Sequence, residues 1–91
     1  MSFMLMRADV GDYDAWKPNF DADPAGRKQA AKRHRLMRSV ENPNEVFIQV
    51  EFDSVDTAKA FREKLLASGV LDGIDVKSGP TVTEVAEEVV Y

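Results

Sequence analysis

Ninety-one residues make a single domain, 1–91, and a chain of that size buries only about 60 to 65% of the surface its unfolded form exposes. Hydrophobic residues at 44% and charged residues at 31% show no disorder or low-complexity bias, and a net charge of -4 argues against a nucleic-acid partner, because phosphate binding needs a dense basic surface. The absence of cysteine removes disulfide, thiolate and iron–sulfur chemistry; with no secretory leader pattern and no apolar run of membrane-spanning length, the expectation is a cytoplasmic protein with no membrane partner.

Phe3-Met4-Leu5-Met6-Arg7-Ala8, bounded by Asp9 and Gly11, reads as a buried first strand. Asp12 then caps a helical region over residues 12 to 32, in which Tyr13, Trp16 and Phe20 recur on one stripe. Pro18 and Pro24-Ala25-Gly26 predict a kink or split before the helix resumes at Arg27. The basic run Arg27, Lys28, Lys32, Arg33, Arg35 and Arg38 reads as a solvated helix end and strand rim.

Residues 33–40 and Glu45 to Phe52 alternate, and Glu41-Asn42-Pro43-Asn44 joins them into a hairpin. Val46, Ile48, Val50 and Phe52 fill one face of its second strand, while Phe47, Gln49 and Glu51 share the other. Pairing Val40 with Val46 keeps Leu36, Val40 and the valine–isoleucine face together, and sets Arg35 opposite Glu51 and Met37 opposite Gln49. A one-residue change in loop count sets His34 opposite Glu51 instead, so the first register is preferred. Asp53 or Ser54 caps a second helix with the apolar stripe Ala58, Phe61, Leu65 and Leu66, stopped by Ser68-Gly69. Val70 to Ile74 forms a plug at one end of the sheet, and Gly79-Pro80 leads into a last strand over residues 81–91.

The order strand, helix, strand, strand, helix, strand is an α+β fold: a ferredoxin-like βαββαβ domain whose four-stranded antiparallel sheet carries its helices on one face. The other face mixes polar groups with Met37 and Phe47, and the simplest cover for it is a second copy of the chain.

Residues 12–21, Asp12-Tyr13-Asp14-Ala15-Trp16-Lys17-Pro18-Asn19-Phe20-Asp21, together with Asn42-Pro43-Asn44-Glu45-Val46 and Glu51-Phe52-Asp53-Ser54, resemble the dimeric α+β barrel superfamily. The likeness is to its small antibiotic-biosynthesis-monooxygenase-like members and covers nearly the whole chain. It implies a homodimer in which two four-stranded sheets pack face to face and a small apolar or aromatic organic molecule is held between sheet and helices or inside the barrel. Members include oxygenases that need no cofactor, as well as cyclases, isomerases, haem-degrading enzymes and proteins without known activity, so function has to come from the site.

No metal site and no cofactor is expected: His34 is the single histidine, and no carboxylates cluster at ligand spacing. Glu51, His34 and Arg35 are the candidate catalytic residues, any of which could orient the substrate or move a proton. A structural ion pair between Arg35 and Glu51 that sets dimer register is the alternative. Trp16 and Phe20 are candidate pocket walls, joined by Phe47, Gln49 and Met37 from the mixed sheet face. The leading expectation is a homodimer that binds a small apolar molecule, with cofactor-independent oxygenase-like chemistry; the rival is a non-catalytic ligand-sensing or interaction module. A cavity of roughly 300 to 1,000 Å³ beside Trp16 favours binding, and a filled interior favours the rival.

Overall fold

The structure is a computed structural model that describes all residues from Met1 to Tyr91. Its strands are β1 (Ser2–Asp9), β2 (Arg33–Arg38), β3 (Glu45–Phe52) and β4 (Asp75–Glu84), and its helices are α1 (Tyr13–Asp21), α2 (Arg27–Ala30) and α3 (Val55–Ala67). One antiparallel sheet runs in the order β2-β3-β1-β4, so β1 and β3 sit centrally as the ferredoxin-like arrangement requires.

Side-chain alternation sorts the central strands. Met4, Met6 and Ala8 of β1 and Val46, Ile48, Val50 and Phe52 of β3 are buried with Ala58, Phe61 and Leu65 of α3, and the Phe52 and Phe61 rings meet at 5.5 Å. Each large side chain so buried contributes about 1.5 to 3 kcal/mol. Tyr13, Trp16 and Phe20 of α1 pack against the same cluster, so the long helices share one face and leave the other open.

Local chemistry sets the helix ends. The Asp12 carboxylate accepts the Ala15 N–H at 3.3 Å and the Ser54 hydroxyl accepts the Thr57 N–H at 3.1 Å, each satisfying a donor of the first turn. Helix α1 runs through Pro18 and ends at Asp21, so the break lies later than an interruption at Pro18 would place it. It comes where Pro24 disfavours the helical conformation for Asp23, which turns left-handed at φ 55, followed by Gly26 at φ 77.

The hairpin differs from the preferred register by two residues. Arg33, not Arg35, is opposite Glu51; Arg35 faces Gln49 and Met37 faces Phe47. A two-residue slip leaves every side chain on its expected face, which is why alternation alone does not detect it. The loop decides: the Glu45 N–H donates to Asn42 O at 2.9 Å and the Ser39 N–H to Glu45 O at 2.9 Å, closing the hairpin early and leaving Val40 in solvent.

The last strand also differs. It spans Asp75–Glu84 and not residues 81–91: Glu84 is opposite Ser2, the first residue of β1, and the Val85 N–H donates to the Met1 carbonyl at a long 3.5 Å. Its register with β1 shifts at Gly79, where φ is 82 and any Cβ would run into the Leu5 carbonyl, so only glycine fits. In α3, Leu66 is exposed and does not join the stripe of Ala58, Phe61 and Leu65.

Candidate functional site

Between α1, the sheet and the segment from Val70 to Ile74 lies a cavity of about 320 Å³. Its floor is Met4, Met6, Ile48 and Val50, and the Trp16 and Phe20 rings, 5.0 Å apart, line the α1 side. Val70, Leu71 and Ile74, from the segment between α3 and β4, also line it. Asp12, Asn19, Asp23 and Arg27 are the polar and charged side chains in the wall.

Both carboxylates there are engaged by backbone. Asp12 caps α1, and Asp23 accepts the Arg27 N–H at 2.7 Å on one oxygen and the Lys28 N–H at 2.9 Å on the other. Burial pushes the Asp23 carboxyl up, but those two N–H groups and the Arg27 charge outweigh it and hold the group below the usual aspartate range. Arg27 is the residue that the sequence reading misplaced: its side chain is only 9% exposed and its guanidinium lies 3.9 Å above the centre of the Phe20 ring, where a solvated helix end was expected. A signal was present in Asp23-Pro24-Ala25-Gly26-Arg27, where an aspartate four residues before an arginine and a Pro-Ala-Gly turn fold the two onto each other.

The sequence-predicted site residues divide between the two sides of the sheet. Trp16 and Phe20 line the cavity, whereas Phe47, Gln49 and Met37 border a more open depression of about 510 Å³ on the open face together with Leu5 and Thr81. His34 lies opposite Val50 on the helix side, with its ring edge-on to Phe20 at 5.3 Å, and reaches the cavity only through that ring. Burial, and then the charges of Arg27 and Lys17, push the His34 pKa below its ordinary value. On the same strand face, beyond Leu36, Arg38 stacks on Tyr13 at 3.7 Å.

Glu51 and Arg35 project from the open face. Glu51 is only 6% exposed, its Oε1 lies 3.7 Å from Arg33 Nε, and its Oε2 has no hydrogen-bond partner. Arg7 and Glu45 pair on the same face at 3.0 Å, beside exposed Leu5, Met37 and Phe47. The two candidate proton-transfer residues, His34 and Glu51, are therefore on opposite sides of the sheet and do not form one site within a chain. No group of three or more His, Asp or Glu side chains converges on a point where a metal ion would bind. Comparison with known proteins returns no matching protein-family model and no matching curated protein.

Proposed function

We propose that this chain binds a small, largely apolar organic molecule in the cavity beside Trp16, and does so as a homodimer joined through its open sheet faces, in the manner of the small antibiotic-biosynthesis-monooxygenase-like dimeric α+β barrels. The observation that carries the reading is the cavity itself: about 320 Å³, walled by aromatic and aliphatic side chains, in a chain with little core to spare. The site opens to solvent, and an apolar guest would displace water from its hydrocarbon walls.

Binding without turnover fits the wall better than oxygenase chemistry. A cofactor-independent oxygenase needs a base on its substrate, and here both oxygens of Asp23 accept backbone N–H groups and Asp12 caps α1 through Oδ1. The second copy is supported by the open face, where Leu5, Met37 and Phe47 are exposed, Glu51 keeps an unpartnered oxygen, and acidic and basic side chains stand side by side. A patch carrying both signs is complementary to itself across a two-fold axis.

Native mass spectrometry of protein purified from its own host tests both parts together. The expected species is a dimer that retains a small molecule released on denaturation. A monodisperse monomer in light scattering at micromolar concentration overturns the dimer, and failure of the single tryptophan, Trp16, to respond to any of a set of naphthalene-sized aromatic probes, with or without an oxygen substituent, overturns the binding cavity.

A further inference from the structure

Arg27, whose guanidinium carries five N–H donors, lines a site whose other walls are mostly hydrocarbon. Few of them are used. One Nη donates to the Phe20 carbonyl at a long 3.4 Å, the other lies 3.8 Å from Asp23 Oδ1, beyond hydrogen-bond reach, and Nε is buried with no partner. The Asp23 carboxylate cannot turn to meet them, because both its oxygens are held by the Arg27 and Lys28 backbone N–H groups. Asp23 therefore balances the charge of Arg27 and leaves its hydrogen-bonding capacity unfilled. An unmade hydrogen bond at a buried donor is costly, the more so for a charged group.

Building on the binding reading, we infer that the cavity selects apolar molecules bearing a neutral oxygen acceptor, a ketone, quinone, ester or amide carbonyl, and that Arg27 is the residue that reads it. Charge favours the neutral acceptor over a carboxylate. Asp12 and Asp23 stand in the same wall as Arg27, so an anionic guest meets two negative charges and one positive. A carbonyl meets only a donor without an acceptor. The stacking of the guanidinium on Phe20 fixes its plane, so the recognition is directional as well as electrostatic.

Three probes on one frame test this: naphthalene, 2-acetylnaphthalene and 2-naphthoate, titrated against Trp16 fluorescence, with the Arg27 Nε–H resonance followed by NMR. The ketone is expected to bind about tenfold tighter than naphthalene, ~1.4 kcal/mol, and the naphthoate more weakly than the ketone. Only the oxygen-bearing probes should move the Nε–H signal. In R27M, which keeps an apolar stem of similar length, the ketone and the hydrocarbon are expected to bind alike. Equal wild-type affinities for naphthalene and the ketone, or an unmoved Nε–H signal with the ketone bound, overturn the inference while leaving the binding cavity standing. A naphthoate that binds tighter than the ketone overturns the preference for a neutral acceptor. Binding by none of the three overturns the cavity reading itself. Because the wild-type series and the NMR signal suffice, the test survives an R27M chain that fails to fold.

Discussion

The two faces of β3 solve the same problem differently. Val46, Ile48, Val50 and Phe52 are closed over by α1 and α3 of the same chain, while on the reverse side of that strand Phe47 remains 37% exposed and Glu51 is buried with an oxygen unpaired. The covered face is stabilised within the monomer, and the open face, where exposed apolar side chains stand among charged ones, is the one proposed to meet a second copy. Stability and assembly are thus separable by which face a substitution touches.

The sharpest way to break that separation is a pair of truncations on the one strand. Phe52→Ala removes a fully buried ring that packs on Phe61, and is expected to cost about 3 to 5 kcal/mol in urea or thermal unfolding, a large share of the roughly 5 to 14 kcal/mol available to a chain of this length. Phe47→Asp, on the open face, is expected to convert the proposed dimer to a folded monomer in light scattering at micromolar protein, because it replaces an apolar ring of the proposed interface with a charge that pairing would have to desolvate. If Phe47→Asp leaves the dimer intact, that face is not the interface.

Glu51 sharpens the comparison. With a donor from the second copy completing its carboxylate, Glu51→Gln lowers dimer stability by about 1 to 3 kcal/mol. In a chain where Oε2 stays unpaired, the same change removes a buried charge and is neutral or stabilising, so the sign of the melting shift decides between them. Coupling is expected with Arg33→Met and not with Arg35→Met, since Arg33 is the residue opposite Glu51.

The smallest effect lies at the edge of the covered face. The folded-state pKa of His34 is lowered by burial and by Arg27 and Lys17, partly offset by Asp21 and Asp23, so as pH falls the unfolded chain takes up the proton first. Stability from this group is full above the ordinary value of 6.5 and is lost as pH drops from there toward the lowered folded value. Thermal melts at pH 7 and pH 5.5 are expected to show a smaller difference for His34→Asn than for the parent chain, by a few degrees at most given the exposure of the ring. Equal differences would mean that His34 titrates as it does in the unfolded chain.

Much of this was legible in the amino-acid order, and for local reasons. Alternation assigned every β3 side chain to its face, and Asp12 and the Asp53-Ser54 pair announced the two long helices, because period and caps are properties of neighbouring residues. Trp16 and Phe20 were placed at the cavity for the same reason: a helical stripe must face the sheet. What only the tertiary structure decided are relations between distant segments. The hairpin register moved by two residues, a shift that alternation cannot detect and that exchanged Arg35 for Arg33 opposite Glu51. Trp16 and Phe20 parted from Phe47, Gln49 and Met37 because a sheet lies between them, although all five are reasonable pocket residues taken singly. Arg27 went from a solvated cation to a buried donor because the left-handed turn at Asp23 and Gly26 folds α2 back against Phe20, and the burial of a charge depends on what the rest of the chain brings to it.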